Sequence, residues 1–176
     1  LTAAQPFSIP PFSSRATAAF LLIASTAILG GAFAFQYIGG LAPCVLCWWQ
    51  RYAHMATIVL AAAALGASGR GSSRAGWILV CATGLALLAG AGIAAFHVGV
   101  EQHWWAGTAE CGSPLGTASG IDQLRARLLA QPIVRCDEIA WSLFGISMAG
   151  YNFLLSLALG ASAVMTGGRH LVGRMK

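Results

Sequence analysis

Residues 74–101 read RAGWILVCATGLALLAGAGIAAFHVGVE, and no Asp, Glu, Lys or Arg stands between Arg74 and Glu101. A helix that crosses the hydrocarbon core of a bilayer needs about 20 mostly apolar residues, so this stretch predicts a span over about 75–97. Three further charge-free stretches flank it, between Arg15 and Arg51, between Arg51 and Arg70, and between Glu138 and Arg169. They predict spans over about 16–38, 48–65 and 143–164. The second is the shortest and carries Arg51 near its start. Composition agrees: 57% of the 176 residues are hydrophobic and 9% charged, where a soluble domain carries about 25%. So few charges cannot clothe a water-soluble globule. The net charge of +5 comes without a basic run or a stacking motif, so no nucleic-acid partner is expected. The partner that composition demands is a lipid bilayer.

Charge placement orients the spans. Arg15, Arg70, Arg74, Arg169, Arg174 and Lys176 fall on one side, and all five acids, Glu101, Glu110, Asp122, Asp137 and Glu138, on the other. Cytoplasmic loops are enriched in Lys and Arg, which predicts two cytoplasmic termini and outward loops over about 39–47 and 98–142. Trp48, Trp49, Trp104, Trp105 and Trp141 lie near that outer boundary, as an aromatic belt requires. The first span is too long, and too poorly followed by a small-residue cleavage site, for a removed signal peptide; it reads as an uncleaved anchor. Residues 1–14 read as a disordered cytoplasmic tail, and 15–176 as a single domain.

Four of the five cysteines then face outward, where disulfides persist; Cys81 alone sits inside a span and reads as a small buried hydrophobe. The first pair is Pro43-Cys44-Val45-Leu46-Cys47, directly before the second span. Proline suits a helix's first turn, and the partial positive charge of a helix N-terminus stabilises a thiolate. C-x-x-C spacing lets the sulfurs meet across one turn. The pattern also fits half a zinc site or a structural disulfide, but no second Cys or His pair on the outer side completes four ligands. No metal is expected. Arg51 shares a helical face with Cys47 and Cys44. A guanidinium this close to hydrocarbon needs a partner, either a thiolate or the carbonyl of a bound cofactor; the alternative is snorkelling to headgroups.

The second pair, Cys111 and Cys136, lies in the long outer loop. Between them Ile121, Leu124, Leu128 and Leu129 share a face that Asp122, Gln123, Arg125 and Arg127 mostly avoid. That predicts a short amphipathic helix at the membrane interface. A disulfide there could be purely structural, worth roughly 3 kcal/mol by chain entropy, or redox-active beside the outward C-x-x-C. The fold class expected is all-α, an integral membrane four-helix bundle whose long outer loop contains this helix.

Pro43-Cys44-Val45-Leu46-Cys47 with Gln50-Arg51, four helices and the Cys111/Cys136 loop closely resemble the bacterial disulfide bond formation protein B (DsbB) family. So does Cys136-Asp137-Glu138-Ile139-Ala140-Trp141-Ser142-Leu143-Phe144-Gly145-Ile146-Ser147-Met148, which looks like that family's entry into its fourth helix. The resemblance covers nearly the whole chain beyond the tail. It implies a relay in the bacterial inner membrane, with active cysteines on the periplasmic side. Cys111 would receive the thiolate of a soluble DsbA-type oxidase, Cys136 would exchange with Cys44, and Cys47 would face ubiquinone or menaquinone. It also implies that Arg51 stabilises charge at the quinone, and that His97 and Met148 lie beside it. For His97 an interfacial hydrogen-bonding role, and for Met148 ordinary packing, are the plain alternatives. Cys81, Gln50 and His54 have no part in that scheme.

Rival readings make different demands. A vitamin K epoxide reductase type shares the four-helix plan, but its C-x-x-C belongs at the outer end of the last helix. A haem- or metal-carrying bundle using His54 and His97 would be indifferent to cysteine substitution. A scaffold with two structural disulfides would not turn over. A DsbB relative serving one dedicated partner has no separate signature in the sequence.

Overall fold

The computed structural model describes residues 13–69, 71–111 and 134–173. The amphipathic helix expected around 121–129, and residues 1–12 of the expected tail, lie outside them. Among the described residues there are four helices: α1 (Ser14–Tyr37), α2 (Val45–Ala67), α3 (Arg74–Glu101) and α4 (Met148–Gly173). Each of the first three starts at a side-chain cap that satisfies a free N–H of the first turn. Ser13 accepts from the Ala16 N–H, Cys44 from Cys47 and Ser73 from Gly76.

The fourth helix begins at Met148 rather than near Leu143. Ser142–Leu143 (β1) and Ile146–Ser147 (β2) instead pair as a small antiparallel hairpin. Its two turn residues, Phe144 and Gly145, both have positive φ, 50° and 77°, the pairing that a two-residue hairpin turn of matching twist demands. Ser147 then accepts the Gly150 N–H at 3.1 Å and starts α4. This hairpin is the departure from an all-helical chain among the described residues.

α1, α3 and α4 are long and apolar enough to cross a membrane. α2 is absent from that set because Gln50, Arg51, His54 and Thr57 occupy its buried face. The sequence reading had four such spans; by length and composition three qualify.

α3 is the central helix and packs most extensively against α4 and α2, with α1 laid against α2. One core, of Ala18, Leu21, Ala61, Ala64, Trp77, Val80, Leu87 and Ala163, joins all four helices. Small residues bring α3 and α4 together: a Cβ on Gly84 would stand 2.9 Å from the Gly160 carbonyl, and one on Gly160 would stand 2.9 Å from the Gly84 carbonyl. Backbones this close are how helices associate where the surroundings are as apolar as the interface. A second, smaller cluster of Cys44, Leu46, Val100 and Cys136 sits at the other end.

Candidate active site

Cys44 occupies the N-cap of α2 in extended backbone, so its sulfur turns back over the first turn and accepts the Cys47 N–H at 3.3 Å. The two sulfurs lie 3.0 Å apart and are not bonded. Cys44 is buried and Cys47 half-buried. The spacing thus puts both sulfurs at the positive end of a helix dipole, where a thiolate is favoured.

Cys111 and Cys136 are joined by a disulfide, Cα to Cα 5.2 Å. The two halves differ in access. Cys136 is 1% exposed and packs in the cluster that holds Cys44 and Leu46. Cys111 is half-buried and borders an open groove with Val100, His103, Trp105, Ala106, Gly107 and Asp137. The segment after α3 reaches this position because Trp105 folds back and donates its Nε1–H to the Phe96 carbonyl at 3.0 Å. The Arg135 guanidinium beside Asp137 holds that carboxyl down at about 2, so an ionised Asp137, paired with Arg135, stands at the groove.

On the other side of Cys44 lies a cavity of about 390 Å³ between α1, α2 and α4, within the usual range of roughly 300–1,000 Å³ for small-molecule sites. Leu29, Phe35, Leu41 and Leu155 give it apolar walls; Cys44, Cys47, Arg51, His97 and Met148 line it too. Five residues expected at the site therefore share one cavity, and the loop disulfide abuts it through Cys44. Cys81 is elsewhere, its sulfur against Gly167.

A chain of polar side chains ends at Cys44. His97 Nε2 is 3.6 Å from the Cys44 sulfur, and Gln50 Nε2 is 2.9 Å from His97 Nδ1. Asn152 donates to Gln50 Oε1 at 2.6 Å, while His54 Nε2 lies 2.8 Å from Asn152 Oδ1. Glu101 Oε1 is 3.9 Å from His97 Nε2, and Glu101 also accepts a hydrogen bond from Ser147. Cys44, Cys47 and His97 are close enough together to suit a metal ion. With Gln50 donating to Nδ1, however, the neutral ring carries its hydrogen on Nε2 and offers no lone pair there.

Arg51 is 6% exposed and does not snorkel. Its guanidinium donates to Gln36 Oε1 and, at 3.1 Å, to the Ala32 carbonyl, and lies between the Phe33 and Trp48 rings at 4.9 and 5.0 Å. Of the two partners expected for it, a thiolate or a cofactor carbonyl, a cysteine sulfur is not among its hydrogen bonds. Two of its five donors are thus engaged with α1, on a side chain that faces the cavity.

A family model described as Disulfide bond formation protein DsbB matches residues 14–166. The chain belongs to the DsbB family. Among similar proteins, Disulfide bond formation protein B of Aromatoleum aromaticum is 32% identical over 161 residues, covering 88% of this chain and 92% of that one. The protein of the same name from Xanthomonas campestris pv. campestris is 32% identical over 168 residues, 91% and 95% of the two chains. Disulfide bond formation protein B 2 of Pseudomonas syringae pv. syringae is 34% identical over 141 residues, 75% of each. No solved structure matches. DsbB membership makes this a bacterial membrane protein and a disulfide-bond-forming oxidoreductase.

Gln36, Gln50, Glu101 and Asn152 partner Arg51 or His97, directly or through one another, and sequence reasoning gave none of them a role. Two signals were available. Glu101 follows His97 by four residues and so shares its helical face, and Gln50 and Asn152 are amides inside segments otherwise fit for hydrocarbon, where polar groups need partners.

Proposed function

We propose that the protein is a thiol:quinone oxidoreductase of the bacterial inner membrane. It reoxidises a periplasmic DsbA-type dithiol oxidase by disulfide exchange and passes two electrons to ubiquinone or menaquinone. In this reading all four helices span, both termini are cytoplasmic, and the four cysteines face the periplasm. The observation that carries it is the asymmetry of the loop disulfide: Cys111 is half-buried at the edge of a groove, and Cys136 is buried in the cluster of Cys44.

Thiol–disulfide exchange proceeds by in-line attack of a thiolate on sulfur. The partner's thiolate attacks Cys111, and Cys136 leaves with the electron pair. The Cys136 thiolate attacks Cys44 of an oxidised Cys44–Cys47 pair, joining 136 to 44 and releasing the Cys47 thiolate into the cavity. The partner's second thiolate then closes its own disulfide and frees Cys111. The Cys111 thiolate attacks Cys136, which restores the loop disulfide and releases Cys44. Cys44 and Cys47 finally re-form their bond and give up the two electrons that the partner brought.

The cavity fits an acceptor of quinone type: apolar walls suit a substituted ring, Arg51 presents N–H groups for a ring oxygen, and His97 lines the wall beside Cys44. When bound, the quinone supplies the sink for two electrons and two protons. Arg51 would hold negative charge as it develops there, Met148 would pack against the ring, and Cys47 would face it.

Purified protein given reduced DsbA and a quinone should consume the quinone catalytically, followed by its ultraviolet absorbance. Replacing Cys44, Cys47, Cys111 or Cys136 with Ser should stop turnover. Activity surviving Cys44→Ser or Cys47→Ser would overturn the proposal.

A further inference from the structure

Gln50, Asn152 and His54 line the same cavity as the cysteines, joined to Cys44 through His97, and the relay assigns them no step. Their hydrogen bonds nevertheless have a single direction. The Gln50 amide nitrogen lies 3.2 Å from the Leu46 carbonyl and 2.9 Å from His97 Nδ1. A backbone carbonyl only accepts, so the NH2 group must face Leu46 and His97, and the amide oxygen must face Asn152. Asn152 fits: its nitrogen is 2.6 Å from that oxygen, and its own oxygen accepts from Ser156 at 3.1 Å and from His54 at 2.8 Å. With Nδ1 accepting, His97 carries its hydrogen on Nε2, the atom 3.6 Å from the Cys44 sulfur. Glu101, 3.9 Å from the same nitrogen, favours a hydrogen there as well.

The partner of one imidazole nitrogen decides which tautomer the other presents. We propose that Gln50 and Asn152 are positioning residues for the exchange step: they hold His97 with its Nε2–H aimed at Cys44, so that this sulfur leaves Cys136 as a hydrogen-bonded thiolate. The inference rests on the relay reading for its place in the cycle. In that step the Cys111 thiolate bonds to Cys136, the 136–44 bond breaks, and the electron pair goes to the Cys44 sulfur. No proton need move. Besides His97, the charged or titratable neighbours of this sulfur are Cys47 and Arg51 on α2 and Glu101 on α3; the substitutions at Gln50 and Asn152 leave all of them in place, and the Cys47→Ser background is common to both sides of each alkylation comparison.

Gln50→Glu separates this role from packing, because it keeps the shape and replaces the NH2 donor with a carboxylate acceptor. The ring should then turn to the Nδ1–H tautomer and present a bare Nε2 to Cys44. Two measurements on the full-length protein read this without a thiol partner or a quinone. In ¹⁵N-histidine-labelled protein with reduced cysteines, the His97 ring shifts should report Nε2–H, and in Gln50→Glu they should report Nδ1–H. In a Cys47→Ser background, alkylation of Cys44 by iodoacetamide at neutral pH should fall roughly tenfold on adding Gln50→Glu, as expected for one lost hydrogen bond to a charged group. Asn152→Leu, which frees the Gln50 amide without reversing it, should fall less. Nδ1–H in the parent protein, or a Gln50→Glu variant with unchanged shifts and alkylation, would overturn the proposal. A quinone assay that failed while these two readouts behaved as stated would count against the relay alone.

Discussion

The two ends of the bundle bury polar groups in opposite ways. At the end that holds α1's start, the α2–α3 turn and α4's close, they are mostly neutral hydroxyls that bond backbone carbonyls and one another. Ser68 donates to the Ala64 carbonyl and Ser73 to the Ala67 carbonyl, both at 2.7 Å, and Ser14 meets Ser68 at 2.8 Å. Trp77, fully buried, stacks on His170 with ring centroids 4.1 Å apart. At the cysteine end Gln50, Arg51, His54, His97 and Glu101 are each less than a tenth exposed, and they bond across helices. Ionisable groups inside an apolar bundle are costly and mark function. The first end holds the helices together, whereas the second is where the proposed relay would run, at a cost in stability.

Substitutions should separate those roles. The largest effect belongs to the cysteines: Cys136→Ser should abolish turnover in the quinone assay and leave the thermal midpoint of the reduced protein within a few degrees of the parent. Gly160→Leu should do the reverse. It forces a side chain between α3 and α4 where the carbonyl of Gly84 already lies 2.9 Å from a Cβ, costing about 1–3 kcal/mol by overpacking. Denaturant titration should register that loss, while the protein that remains folded turns over normally. Arg51→Ala comes next, raising the apparent KM for quinone roughly tenfold through one lost charge-assisted hydrogen bond, with a smaller change in the rate of loop-disulfide exchange; an unchanged quinone dependence would remove Arg51 from the cavity's work. Smallest is Cys81→Ala, whose sulfur touches the α4 backbone and none of the cavity; turnover should equal the parent's.

Much of this division could be read in the sequence. Charge-free stretches located the helices, the first three starts to within a few residues, because hydrocarbon tolerates so few alternatives. The cysteine pairs were legible from topology alone. The hairpin was not, since Leu143 to Val164 is apolar enough to read as one span, and only the turn at Phe144-Gly145 betrays it. The polar chain was illegible for another reason: Gln50 and Asn152 are far apart in sequence, and nothing in either segment states that α2 and α4 face one another across His97. Arg51 was placed on the correct face, yet its partners on α1, Gln36 and Ala32, depend on a helix packing that periodicity cannot supply.

The central claim is that electrons cross from the loop cysteines to the helix cysteines through one transient bond. Replacing Cys47 and Cys111 together with Ser leaves Cys44 and Cys136 with no other partner in the relay. Peptide mapping by mass spectrometry after mild oxidation should find residues 44 and 136 joined by a disulfide. Recovery of both as free thiols from folded protein under the same oxidation would contradict the account.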